Sequence, residues 1–153
     1  MSEIDPHLEQ EYDNRARVPE HPHLINQWTQ DSQAYRAQAR DKGLARCDLA
    51  YGDDPRQQLD LFGPDLEGDK KGPLLVFIHG GYWRGLDRTF FSHMAQGANA
   101  HGVTVAVPSY RLCPHVNLAT LIDDLRRCVH FLYQRSKRPM AIAGHSAGGH
   151  LTA

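Results

Sequence analysis

Gly144-His145-Ser146-Ala147-Gly148 sets a serine between two glycines in the pattern G-x-S-x-G. Such a serine is a nucleophile when it projects from a sharp turn between a buried strand and a helix, where its hydroxyl can reach a carbonyl carbon. The turn brings strand and helix so close that side chains at 144 and 148 would collide, which accounts for glycine at both positions. A helix starting at Ser146 would also aim unpaired amide N–H groups and a positive dipole end at an oxyanion forming on the substrate. A second motif, His79-Gly80-Gly81-Tyr82-Trp83, offers further donors, because two glycines let the backbone approach a tetrahedral oxygen with no Cβ in the way. Either run alone reads equally as small residues that let a helix pack closely or form a loop. Two such motifs, each following its own apolar run and in this order, point to acyl transfer.

The elements that must position these motifs follow from the hydrophobic pattern. Leu74 to Ile78 is a continuous apolar run after Gly72-Pro73, as expected of a strand covered on both faces, and it leads directly into His79. Val103 to Val107 and Met140 to Ala143 are further short apolar strands, the last leading into Gly144. Asp87 to His101 reads as a helix with Phe90, Phe91, Met94, Ala95 and Ala98 on one face, Asp87 as N-cap and Gly102 as its stop. Asn117 to Gln134 is amphipathic, with Leu118, Leu121, Ile122, Leu125, Val129 and Leu132 at spacings of three and four, and Asp123 and Arg127 as an exposed i, i+4 pair. Upstream, Cys47–Tyr51 and Gln58–Phe62 flank Gly-Asp-Asp-Pro and read as a hairpin of two antiparallel edge strands. Alternating strands and helices then define an α/β domain with a parallel sheet. Residues 1–42 are polar and split by Pro19 and Pro22 into two helical or irregular pieces, with only Leu24, Ile25, Trp28 and Tyr35 to pack. They form an N-terminal extension lying on a domain of residues 43–153.

With 153 residues, 41% of them apolar, and a formal net charge of -1, the chain suits one globular domain or part of one. Basic and acidic residues interleave, which argues against nucleic acid or an anionic membrane as a partner. The acidic, polar start MSEIDPHLEQ and the lack of a long apolar run predict a cytoplasmic protein. Cys47, Cys113 and Cys128 are odd in number and lack C-x-x-C spacing, as expected of reduced, partly buried thiols and not of disulfides or structural zinc. His21 with His23, or Cys113 with His115, could pair on a metal. Both pairs lie in proline-containing segments that read as solvated loops, so no metal and no cofactor is expected.

Together, HGGYW, the Ser109-Tyr110-Arg111-Leu112 run and GHSAGGHL at 144–151 resemble the esterase and lipase branch of the α/β-hydrolase superfamily, and HGGYW is most similar to the kynurenine formamidases (arylformamidases). The resemblance covers residue 47 to the end and implies the α/β-hydrolase fold. Here that would be its N-terminal half: an antiparallel edge hairpin, then parallel strands with crossover helices, cut off after the nucleophile elbow. Matched by motif, Ser146 is the nucleophile, and the N–H groups of Ala147, Gly81 and Tyr82, helped by the flexibility of Gly80, form the oxyanion hole. Gly144 and Gly148 support the turn, and His79 braces the oxyanion loop by hydrogen bonding and does not act as base. Tyr82 and Trp83 would wall an aryl pocket, unless they are ordinary packing aromatics. Arg84 and Arg111 either meet a substrate carboxylate or, as arginines near loops usually do, pair with acids.

The superfamily orders its triad Ser, then Asp or Glu, then His, and seven residues after Ser146 leave no room for the last two. His101, His115, His130, His145 and His150 do not occupy the family's base position, so no base is assigned. The expectation is an excerpt of a longer enzyme, or a truncated product, inactive as an isolated chain. The predicted chemistry is acyl transfer to water from a small ester or amide, first an aryl-formamide such as N-formylkynurenine, with a general carboxylic ester as the runner-up. A different class of reading is a non-catalytic, partner-dependent binding subunit; homo-oligomers fit either.

Overall fold

The structure is a computed structural model that describes residues 4–69 and 72–153; residues 1–3, where the acidic N-terminus begins, and residues 70–71 lie outside that range. Helices α1 (Pro6–Tyr12), α2 (Asn14–Arg17) and α3 (His21–Asp41) precede strands β1 (Ala45–Ala50), β2 (Gln58–Phe62) and β3 (Leu74–Ile78). Helix α4 (Ala95–Ala100), strand β4 (Thr104–Pro108), helix α5 (Leu118–Ser136), strand β5 (Met140–Gly144) and helix α6 (Ala147–Thr152) follow. The strands form one sheet in the order β1-β2-β4-β3-β5. β3 runs parallel to β4 and β5, while β2 runs antiparallel to β1 and β4.

Alternation along the strands sends successive side chains to two cores. Leu59, Leu61, Val76, Ile78 and Ala106 face α5, which answers with Leu121, Leu125, Cys128 and Leu132. Phe62, Phe77, Val105 and Val107 face the other way, where Tyr35 and Ala39 of α3 meet Phe91 and Ala95. Each large aliphatic side chain buried this way contributes roughly 1.5–3 kcal/mol. Helix α5 has clear limits: the Asn117 side chain accepts from Thr120 N–H at 2.9 Å at its start, and Lys137 turns left-handed (φ 52°) at its end.

Several expectations are corrected. Only β1 is an edge strand of the hairpin; β2 lies inside the sheet against β4. Within β2 the Asp60 carboxylate is fully buried between Arg36 and Arg88. The segment from Asp87 is not one helix but two 3₁₀ turns (Arg88–Phe90 and Ser92–Met94) leading into the short α4. Asp87 does cap it, accepting from Thr89 N–H at 2.7 Å. The Arg88 side chain is drawn inward to Asp60, Asp48, Gln58 and Ser109, which accompanies the break in regular winding, and Met94 is left 45% exposed. Asp123 pairs with Arg126, not Arg127. In the N-terminal region, α3 is a continuous helix of 21 residues that buries Ser32, Tyr35 and Ala39, whereas Leu24 faces solvent.

The topology gathers every connection of interest on one rim. The β1–β2 turn, the loop after β3, the loop after β4 and the β5–α6 turn all lie at the carboxyl ends of the parallel strands, where open α/β sheets bind ligands. Asp60 joins α3, β2 and the Arg88 turn into one buried ionic cluster, so its loss leaves the Arg36 guanidinium without a counter-charge and Arg88 with Asp48 alone. Asp60→Ala is expected to lower stability by about 3–5 kcal/mol in urea titration of the full-length protein, while Asp123→Ala, from an exposed pair, leaves it unchanged within error.

Candidate active site

The chain reverses between β5 and α6 in two residues, His145 and Ser146. Ser146 takes φ 54° and ψ −121°, a conformation that is strained for a residue with a Cβ, by roughly 1–3 kcal/mol. Tight packing holds it there. A Cβ on Gly144 would lie 2.2 Å from the Gly148 carbonyl oxygen, and a Cβ on Gly148 only 2.1 Å from that of Ile78. The turn is thus pressed on β3 as well as folded on itself, and His145 N–H donates to Ile78 O at 3.1 Å. Ser146 occupies the position where serine ordinarily caps a helix, yet its side chain makes no cap bond, so the hydroxyl is not consumed by α6.

The loop after β3 meets this turn directly. A Cβ on Gly80 would sit 3.1 Å from Ser146 Cβ and 2.8 Å from His145 O. Gly81 (φ 118°) turns the chain back on itself, and its carbonyl accepts from the N–H groups of Arg84 and Gly85, both at 3.0 Å. Tyr82 and Trp83 follow with φ 54° and 56°, two successive left-handed residues that carry side chains. Among the described residues, nothing accepts a hydrogen bond from the N–H groups of Gly81, Tyr82 and Ala147.

His79 lies beneath the loop, fully buried. Its Nδ1–H donates to Gly80 O at 2.7 Å, and its ring stacks on Tyr110 at 4.3 Å and on Phe91 at 5.8 Å. Burial pulls its pKa down to about 4, so the ring is neutral at pH 7, with a buried Nε2 that has no partner among the described residues. Tyr110, also fully buried, donates its hydroxyl to His79 O at 2.6 Å. The Ser109-Tyr110-Arg111-Leu112 run alone assigns no role to Tyr110; its position just beyond the β4 apolar run is the available signal.

Tyr82 and Trp83 diverge. Trp83 packs inward, edge-on to His150 at 5.4 Å, while Tyr82 is 41% exposed and donates to Tyr12 O at 3.2 Å. Between Tyr82 and the N-terminal helices lies a cleft of about 550 Å³, bordered also by Glu9, Arg15 and Arg84. The arginines separate as well. Arg111 is bound to Asp124 through Nε at 2.9 Å and Nη2 at 2.6 Å, which removes it from substrate binding, whereas Arg84 is exposed on the rim. His145 packs edge-on to Trp28 of α3 at 5.8 Å. His21 and His23, expected in a loop, lie in the first turn of α3, and no three His, Cys, Asp or Glu side chains cluster as a metal site among the described residues.

A family model described as BD-FAE matches residues 59–153. The kynurenine formamidase of Drosophila melanogaster is 33% identical over 116 residues, 73% of this chain and 38% of that protein. A crystal structure from Silicibacter sp. TM1040, provisionally described as a thioesterase, is 37% identical with a TM-score of 0.81, covering 92% of this chain and 52% of its own. Esterase B of Lactobacillus rhamnosus is 29% identical with a TM-score of 0.60 over 84% of this chain and 48% of its own. The chain belongs to the BD-FAE family and carries the N-terminal half of the α/β-hydrolase fold, with its likeness in sequence running to the kynurenine formamidases. It spans about two fifths of the curated relative and about half of these two crystal structures.

Two outcomes test this geometry. Gly148→Ala forces the elbow off β3 and is expected to destabilise the full-length protein severely, while Gly97→Ala, whose new Cβ meets nothing within 4 Å in α4, stabilises it by about 0.5–1 kcal/mol in urea titration. His79 is neutral in the fold down to about pH 4 but protonates near pH 6.5 when unfolded. Its contribution is therefore fully present above pH 6.5 and is lost on acidification. About 2 kcal/mol should disappear between pH 7 and pH 5, and His79→Gln should flatten that part of the stability profile.

Proposed function

We propose that Ser146 is the nucleophile of a metal-free, cofactor-free serine hydrolase that transfers the acyl group of a small aryl-formamide, such as N-formylkynurenine, to water. The observation that carries this reading is the Ser146 hydroxyl, left out of helix capping on a strained turn and set against the Gly80-Gly81 loop. Ser146 Oγ attacks the formyl carbon, and the carbonyl oxygen becomes an oxyanion received by the N–H groups of Gly81, Tyr82 and Ala147. Collapse expels the arylamine, which takes up a proton, and leaves a formyl ester on Ser146; water cleaves that ester and releases formate. His79 is neutral and buried, so it holds Gly80 in place and does not accept the serine proton. His145 and His150 pack on Trp28 and Trp83, and neither is assigned as base.

The formamide preference rests on the HGGYW motif and on the likeness to the Drosophila melanogaster enzyme. A carboxylic ester is the second reading, favoured by the likeness to esterase B over most of the chain. The unpaired cysteines suit a reducing, cytoplasmic setting. A fluorophosphonate probe is expected to label the full-length protein at Ser146 and to fail on Ser146→Ala; a folded protein that takes no label would instead be a non-catalytic binding subunit. Turnover of N-formylkynurenine at least tenfold above that of a phenyl ester, by kcat/KM, is the expected order, and the reverse order assigns the ester.

A further inference from the structure

The same rim of the sheet holds a second recess. Between the β1–β2 turn and the loop after β4 lies a cleft of about 560 Å³ whose walls include Asp54, Arg56, Arg84, Arg111, Cys113 and His115. Its three arginines are in different states. Arg111 is neutralised by Asp124. Arg56 is held by two carbonyl oxygens, of Tyr110 at 2.8 Å and of Leu86 at 2.7 Å, which orient the guanidinium without cancelling its charge. Arg84 is exposed, and among the described residues its guanidinium has no hydrogen-bond or ion-pair partner. Asp54 is the one carboxylate among the lining residues, and its Oδ1 accepts from Arg56 N–H at 2.8 Å. Among the lining side chains, Arg56 and Arg84 stand against Asp54, with Arg111 cancelled by Asp124; Asp87, outside the lining, also feels the charge of Arg56.

The recess is tied to the site by the chain itself. Arg84 N–H donates to Gly81 O, so this arginine grows from the same tight turn as the Gly80-Gly81 loop, and Gly80 lies against Ser146. Arg56 holds the backbone at Leu86, the far end of that loop. The exposed Arg84 guanidinium and the Arg56 guanidinium fixed by backbone carbonyls are thus joined through one loop to the turn that lies against Ser146. Guanidinium forks match carboxylate geometry better than any other side chain does.

We propose that this cleft is a carboxylate subsite: Arg84, with Arg56 behind it, binds a carboxylate carried by the substrate, so the preferred substrates are anionic aryl amides or esters. The inference rests on the hydrolase reading for its place in turnover, but the subsite can be read without turnover. Arg84 is solvent-exposed, so replacing it leaves the core untouched. Two measurements on the full-length protein test the proposal. In steady-state kinetics, the preference in kcat/KM for 2-formamidobenzoate over formanilide should fall about 10- to 100-fold in Arg84→Gln, mostly through KM, with Arg84→Lys in between. By calorimetry, benzoate should bind the wild type and lose at least tenfold in affinity in Arg84→Gln, with weakening as salt rises. An unchanged substrate ratio, or benzoate affinity indifferent to Arg84, overturns the subsite. Benzoate binding that depends on Arg84 without hydrolysis of either compound would keep the subsite and count against the hydrolase reading.

Discussion

The contact on which the rest depends is backbone against backbone: Gly148, in the first turn of α6, lies so close to the Ile78 carbonyl that not even a methyl group fits between them. β3 and β5 pair in parallel with Ile78 opposite Gly144, so the strands end level. Level ends and a missing side chain together bring the residue after each strand to the same place. The Ser146 turn and the Gly80-Gly81 loop meet there because the sheet register leaves them nowhere else to go. Glycine is required at 144 and 148 by this packing, and the strained backbone of Ser146 is the form that remains once both contacts are made.

A loop with Gly81, Tyr82 and Trp83 all at positive φ does not hold itself in shape. Its support comes from below. His79 is sandwiched between Tyr110 and Phe91 and bonded to Gly80 O, and Tyr110 also bonds His79 O. Ser109, beside Tyr110, accepts from Arg88, and Arg88 is paired with Asp60, which is paired in turn with Arg36 of α3. A continuous set of buried polar contacts thus runs from the N-terminal helix to the candidate oxyanion loop. Trp28, packed on His145, gives α3 a second route to the site. The N-terminal helix therefore supports the elbow from both the ionic and the aromatic side.

Much of this was legible in the residues. The unbroken apolar run of β3, the three-and-four spacing of α5 and the glycines around Ser146 are local signals, and local signals determine their own elements. The failures share a cause. Turn chemistry at Gly-Asp-Asp-Pro shows a hairpin but not that β4 adds to its far side, and the apolar face after Asp87 does not show that Arg88 is drawn inward to Asp60; both are settled by long-range partners. In the N-terminal region the prolines do mark the break, with α2 ending at Arg17, before Pro19, and with Pro22 in the first turn of α3, but the polar surface of α3 hides how few residues, Tyr35 and Ala39 among them, anchor it. Arg84 and Arg111 have identical chemistry on paper, and the difference between them is Asp124, thirteen residues beyond Arg111 and almost two helical turns into α5.

The central claim is that Ser146 and the backbone N–H groups of Gly81, Tyr82 and Ala147 converge on one oxygen. The most direct measurement is a crystal structure of the full-length protein after reaction with a phosphonate inhibitor. The expected adduct has phosphorus bonded to Ser146 Oγ, with the phosphonyl oxygen about 2.7–3.1 Å from at least two of those three nitrogens. An adduct on another residue, or a phosphonyl oxygen turned to solvent away from Gly81 and Ala147, would contradict it.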